Sequence, residues 1–75
     1  MLNDMISKKE VLLTDRQRII LGFMAKGLTN EAIAAELGIS INTIKYHRKI
    51  IFGQLNAVSA SQAVVIAMSM KLIEL

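Results

Sequence analysis

Apolar positions in the first third of the chain recur at the spacing of a single helix face. The stripe consists of Ile20, Leu21, Met24 and Ala25. Thr14 stands ahead of it with Gln17 three residues later, the spacing of a capping box, and Gly27 follows it as a residue suited to a left-handed helix end. The pattern predicts a first helix over about residues 15–26.

The middle of the chain predicts two further helices separated by a short turn. Thr29 and Asn30 can cap a second helix, whose apolar residues Ile33, Ala34 and Leu37 face inward and which stops at Gly38. Ser40 then caps a third helix over about residues 41–55. Its buried stripe consists of Ile44, Ile51 and Leu55.

A fourth helix is predicted from Ser59, where Gln62 again has the capping-box spacing, to about residue 72. The apolar run of residues 64–66 also fits a strand, but the cap and the length of the segment favour a helix. We expect residues 1–12 to form an N-terminal tail and residues 13–75 to form one domain. The predicted fold class is all-α, with four helices.

The turn between the second and third helices has the spacing of a helix-turn-helix. Ala34 permits a close helix crossing, Gly38 can adopt a positive φ four residues later, and Ile39 and Ile44 anchor the turn to the core. Two amphipathic helices joined by a glycine turn also occur in ordinary bundles, so the spacing is only moderately specific. The chemistry of the outer face has to distinguish the two interpretations.

Composition locates the charge and limits the class of protein. The chain is 53% apolar and carries a net charge of +3, but no run approaches the roughly 18 apolar residues of a membrane span. Residues 1–36 hold five basic and five acidic side chains, whereas residues 37–73 hold no acid. Without cysteine or a signal-peptide pattern, we expect a cytoplasmic protein without disulfides or thiolate metal sites.

The third helix predicts a DNA-binding face. Asn42, Lys45, Tyr46 and Lys49 fall on one side of it, opposite the buried stripe, and no acid accompanies them. A solvated basic face is the alternative, and the turn geometry favours contact with the major groove. With the flanking hydroxyls and amides, the candidate DNA-binding residues are Thr29, Asn30, Asn42, Thr43, Lys45, Tyr46, Arg48 and Lys49. Thr43 has two open roles, in DNA contact and in the first turn of its helix.

The sequence pattern indicates neither a catalytic site nor a metal site. His47 is the single histidine, lies at the edge of the buried stripe and has no ligand-spaced partner, which favours a structural or phosphate-facing role. Ser40 and Ser59 have no base and orienting acid beside them in the pattern. We therefore expect no enzyme, no cofactor and no metal.

The sequence resembles the LuxR/GerE-type DNA-binding domain over about residues 12–72. The residues that carry the resemblance are Leu13, Thr14, Asp15, Arg16, Ile20, Leu21, Ala25 and Gly27, the segment Thr29-Asn30-Glu31-Ala32-Ile33-Ala34, Leu37, Ser40, the segment Thr43-Ile44-Lys45-Tyr46-His47, and Ile51, Leu55 and Ala63. The resemblance implies a four-helix domain that regulates transcription, with a recognition helix at about residues 40–55 and dimerisation through the last helix. It implies DNA contacts at Lys45, Tyr46 and Lys49, supported by Thr29, Asn30 and Thr43.

The chain also departs from that family at four positions. Gln17 replaces the usual Glu, Gln54 a Lys, Asn56 a Gly and Ala60 an Arg. The missing Lys at position 54 predicts weaker affinity for the DNA backbone. The resemblance further implies a short stand-alone member, without the receiver or ligand-sensing domain that precedes this module in other members.

The fourth helix predicts a homodimer, because its apolar residues surround it and the domain can cover only one of its sides. The candidate interface consists of Val64, Val65, Ala67, Met68, Lys71 and Leu72. The alternative is that residues 1–12 fold back over this surface.

Three functions stay open at this point. The first is a sequence-specific regulator that binds double-stranded DNA as a homodimer through its third helix. The second is a module like region four of sigma factors, which holds RNA polymerase. The third is an interaction or antagonist module that captures another regulator through the fourth helix or through Ile50 and Phe52. The first predicts a steep dependence of DNA affinity on salt, and the third predicts a shallow one.

Overall fold

A computed structural model describes residues 11–74, and every regular element within them is an α-helix. The helices are α1 (Asp15–Ala25), α2 (Asn30–Leu37), α3 (Ile41–Leu55) and α4 (Ala60–Ser69). This arrangement confirms the predicted all-α fold with a central helix-turn-helix. The segment 64–66, for which a strand was the alternative, lies inside α4.

Each helix begins at a hydroxyl cap, as the spacing predicts. The capping oxygen accepts a hydrogen bond from the backbone N–H three residues later, which supplies one of the partners that a helix start lacks. The four pairs are Thr14 with Gln17, Thr29 with Ala32, Ser40 with Thr43 and Ser59 with Gln62, each at 3.1 Å. At α1 the capping box is complete, because Thr14 N–H also donates to Gln17 Oε1 over 3.0 Å.

Each helix is also followed, within two residues of its end, by a residue with positive φ. These residues are Gly27, Gly38, Asn56 and Lys71, with φ between 57° and 84°. After α4 the N–H of Leu72 donates to the carbonyl of Ala67 over 2.9 Å, and the N–H of Lys71 donates to that of Met68 over 3.0 Å. This pair of bonds is a Schellman motif. It ends α4 at Ser69, three residues before the predicted end.

The core lies where α3 meets the other three helices. Ile44 and Ile51 of α3 are fully buried, as are Ile20 and Leu21 of α1 and Ile33 of α2. In the turn, Ile39 N–H donates to the Ala34 carbonyl over 3.1 Å, and Ala34 is itself buried. The small side chain at Ala34 thus lies at the α2–α3 crossing, in the position that the helix-turn-helix pattern predicts.

The structure places the start of the domain two residues earlier than the sequence predicts. Val11 packs against the core, and Leu12 N–H donates to Gln54 Oε1 of α3 over 3.0 Å. These two residues are therefore part of the folded domain and not of a tail ending at residue 12. The rest of the predicted tail, residues 1–10, lies outside the described residues.

One residue of the predicted dimer interface is also misplaced. Ala67 is fully buried inside the domain, together with Ala63 one turn earlier, because this side of α4 faces the core. Its side chain is therefore not available to a second chain.

No single helix in the described range 11–74 is long and apolar enough to cross a membrane. The helices α3 and α4 reach that length and composition only when taken together across a bend of 54°.

Candidate nucleic-acid interface

The outer side of α3 carries four exposed polar or basic side chains. Asn42, Lys45, Tyr46 and Lys49 all reach solvent, with Tyr46 62% exposed. The opposite side of the same helix holds the fully buried Ile44. The core therefore fixes the rotation of α3 so that this set faces outward.

The two lysines of this face are unpaired within residues 11–74. The side chains of Lys45 and Lys49 make no hydrogen bond or ion pair with another described residue. Residues 37–73 contain no acid, so α3 and α4 supply no carboxylate to this face. Such a surface attracts polyanions. It lacks the alternating acidic and basic residues that are typical of a solvated helix face.

The threonines at the two helix starts both serve as local hydrogen-bonding groups. Thr29 Oγ1 caps α2, and Thr43 Oγ1 lies 2.8 Å from Ser40 Oγ at the start of α3. The structural role of Thr43 is thus visible in the fold, and its contact with DNA stays a prediction. Asn30, which begins α2, is half-buried.

Arg48 lies apart from the outer face of α3. Its guanidinium carbon is 5.3 Å from the centroid of the Phe52 ring, a cation–π arrangement, and the residue is half-buried. It lines a depression together with Thr29, Asn30 and Glu31 at the start of α2. The structure therefore places Arg48 beside the α1–α2 turn.

His47 is joined to Gln17 of α1, a contact that the sequence pattern did not reveal. Gln17 Nε2 lies 3.3 Å from His47 Nδ1, and the Gln17 side chain is only 5% exposed. The available signals were the capping-box position of Gln17 and the position of His47 at the edge of the buried stripe. Neither signal indicates that two residues 30 positions apart meet.

Gln54, which replaces the family's lysine, has a structural contact instead of a free charge. Its Oε1 accepts the hydrogen bond from Leu12 N–H and holds the segment before α1 against the end of α3. Position 54 thus contributes to the fold through a neutral amide.

The solvent side of α4 and the turn after it expose apolar side chains beside the polar Ser61, Gln62 and Ser69. Val65 is 65% exposed, Met68 41% and Met70 44%, and Lys71 is exposed beside them. Val64 and Leu72, also in the predicted interface, are half-buried against the core. The predicted interface thus divides into an exposed set and a set that already has partners within the domain.

Metal binding has no geometric basis in the described part of the chain. Among residues 11–74, no group of three or more His, Cys, Asp or Glu side chains could hold a metal ion.

A family comparison matches most of this chain. Residues 11–67 match the family described as bacterial regulatory proteins, luxR family. The matched segment includes α1, α2 and α3 and most of α4.

Similar proteins include two transcriptional regulatory proteins of Bacillus subtilis (strain 168). The chain is 43% identical to YdfI over 61 residues, which is 81% of this chain and 29% of YdfI. It is 42% identical to ComA over 62 residues, which is 83% of this chain and 29% of ComA. The chain therefore spans under a third of the length of these relatives.

A solved structure shows the same fold. The crystal structure of the response regulator ChrA, from a heme-sensing two-component system, superposes with a TM-score of 0.82 and 33% sequence identity. The similarity covers 96% of this chain and 36% of the ChrA chain.

Proposed function

This chain is a helix-turn-helix DNA-binding domain of the luxR family of bacterial transcription regulators, and we propose that it binds duplex DNA sequence-specifically as a homodimer, with α3 in the major groove. In this role it acts on promoter DNA in the bacterial cytoplasm.

The observation that carries the proposal is the acid-free outer face of α3. Lys45 and Lys49 are exposed and unpaired within the described residues, and the fully buried Ile44 fixes the orientation of the helix that bears them. An α-helix fits the major groove, and phosphates provide most of the affinity for such a surface. The exposed helix α3 can enter the groove, and its outer face carries basic residues without acidic ones, so it meets both the steric and the electrostatic requirement.

Each side chain of the face has a donor or contact group that suits the groove. Lys45 and Lys49 can donate to guanine O6 and N7 or to phosphate oxygens, and Asn42 can form two hydrogen bonds with adenine. Tyr46 can contact a thymine methyl group. Thr29, Asn30, Thr43 and Arg48, near the starts of α2 and α3, are suited to contacts with the phosphate backbone.

The homodimer is supported by the exposed apolar side of α4. Val65 and Met68 project from a short helix whose other side, with Ala63 and Ala67, is already buried in the core. A two-fold arrangement would cover both copies of this surface at once. It would place two α3 helices at half-sites about 10 base pairs apart.

The test compares duplex binding by the wild type and two lysine variants at several salt concentrations. We expect Lys45→Ala to weaken binding to promoter and random duplexes and to reduce the log-log salt slope by about 0.9, the value for one phosphate contact. Lys26→Ala is the matched control, because Lys26 is exposed at the end of α1 beside Ile73 and Glu74. Equal slopes for the two variants would contradict the proposal.

The exposed apolar residues of α4 also fit an alternative function, the capture of another regulator or of RNA polymerase. That function predicts a stable complex with another protein, a shallow salt slope and no difference between the Lys45 and Lys26 variants. The same titration therefore separates the two.

A further inference from the structure

Gln17 is the only buried polar residue in the range 11–74, and its amide bridges two elements. Its Oε1 accepts from Thr14 N–H over 3.0 Å, and its Nε2 lies 3.3 Å from His47 Nδ1. A backbone N–H can only donate, so the oxygen of the amide must face Thr14. The orientation of the amide is therefore set by chemistry, and its NH₂ group must face His47.

This orientation determines which nitrogen of His47 carries the proton. The NH₂ group of Gln17 is purely a donor, so a hydrogen bond to it requires Nδ1 to be the acceptor. Nδ1 must then be unprotonated, which leaves a neutral imidazole with its proton on Nε2. A Glu at position 17, as in the family pattern, would present only acceptors to Nδ1 and would favour the opposite arrangement.

The second nitrogen of His47 is available to a ligand. Within the described residues Nε2 has no hydrogen-bond partner, and no unpartnered side-chain nitrogen or oxygen there is shielded from solvent. Nε2 is therefore reached by solvent, at the margin of the α3 face. The ring also lies edge to face with that of the exposed Tyr46, with centroids 5.7 Å apart.

We propose that Gln17 holds His47 as the neutral Nε2–H tautomer and that this N–H donates a hydrogen bond to a phosphate oxygen of the bound duplex. His47 is then a DNA-contacting residue and Gln17 a positioning residue that acts through it. This inference rests on the proposed DNA-binding function. A neutral donor adds a hydrogen bond to the backbone without neutralising a phosphate charge, so its contribution is independent of counterion release.

The first experiment determines the tautomer by nitrogen NMR of the 75-residue chain without DNA, through the couplings between the ring nitrogens and the ring protons. We expect the His47 proton on Nε2 in the wild type and a mixture of tautomers in Gln17→Met, which keeps the length of the side chain and removes its donor. A proton on Nδ1 in the wild type would overturn the inference. This measurement uses no DNA, so it is independent of the proposed function.

The second experiment separates the two nitrogens with amide variants of His47. Asn places an acceptor near the position of Nδ1 and has no distal donor, whereas Gln carries an N–H near the position of Nε2. We expect His47→Asn to bind duplex DNA about 10-fold more weakly and His47→Gln to stay within about 3-fold of the wild type, the range for one hydrogen bond to a charged acceptor. The salt slope should be unchanged in both variants.

Two outcomes would overturn the phosphate contact. Equal affinities of the two folded variants would show that the distal donor does not matter, and a fall of about 0.9 in the salt slope of His47→Asn would indicate a charged imidazolium. Circular dichroism confirms that each variant is folded. If the wild type shows no salt-dependent binding to duplex DNA, the proposed function and the phosphate contact are both wrong. The NMR result alone tests the tautomer of His47.

Discussion

Lys71 is held in a backbone conformation that suits glycine, and replacing it should stabilise the domain. Its φ is 59°, and the Schellman bonds of Lys71 and Leu72 to the carbonyls of Met68 and Ala67 require this left-handed geometry. The side chain is exposed, so Lys71→Gly removes no core contact.

The magnitude follows from two opposing terms. A side chain other than glycine in the left-handed region costs about 1–2 kcal/mol. Glycine in turn loses about 0.5–1 kcal/mol through its greater freedom in the unfolded chain. We expect a net gain of about 0.5–1 kcal/mol in the free energy of unfolding, or about 5 °C in Tm for a domain of this size.

The assay is thermal and urea unfolding, followed by circular dichroism at several protein concentrations so that any contribution of dimerisation is visible. Lys71→Ala is the matched control, because it removes the same charge but keeps a Cβ, and it should change stability by less than about 0.5 kcal/mol. Asn56→Gly, at φ 57°, should gain less than Lys71→Gly since asparagine tolerates this region. Equal gains for the glycine and alanine variants at position 71 would refute the reasoning and assign the effect to charge.

Two further predictions concern the other surfaces. Met68→Glu should convert a dimer to a monomer, because the variant would bury a charge in the interface. The mass is measured by light scattering at high micromolar concentration. As the control, Val58→Glu, at an 88% exposed position, should leave the mass unchanged. A monomeric wild type would contradict the proposed dimer. Gln54→Lys should increase DNA affinity and steepen the salt slope by about 0.9. The same variant loses the hydrogen bond from Leu12 N–H, which should lower the free energy of unfolding by about 1 kcal/mol. An unchanged slope in anisotropy titrations would show that position 54 does not contact the backbone.

Local features of the chain could be predicted from the sequence because their causes are local. The four capping hydroxyls and the turn glycine Gly38 act through groups within five residues, so their spacing contains the information. The start of each helix agrees within one residue, and α3 agrees at both ends. The outward set on α3 also follows from helical periodicity alone.

Three features were missed or misplaced in the sequence-based prediction. Ala67 looks like its neighbours in an apolar helix, and only the position of α4 on the core shows that it is buried. The end of α4 depends on a lysine in the left-handed region, which residue preferences do not indicate. Arg48 falls among basic neighbours in the sequence, and this pattern does not indicate that its guanidinium packs on the Phe52 ring.

In the described part of the chain, the side-chain hydrogen bonds between distant segments are made by uncharged amides. The stability of the fold therefore depends little on charge, whereas DNA binding depends on it strongly. Within residues 11–74, two side-chain hydrogen bonds connect one element to another, Gln17 with His47 and Leu12 with Gln54, and each involves an uncharged glutamine. Salt weakens contacts between charges and has little effect on amide bonds or apolar burial. Raising salt should therefore release the duplex from Lys45 and Lys49 before it perturbs the helix that presents them. The log-log slope of DNA binding then counts phosphate contacts and does not report a loosening fold.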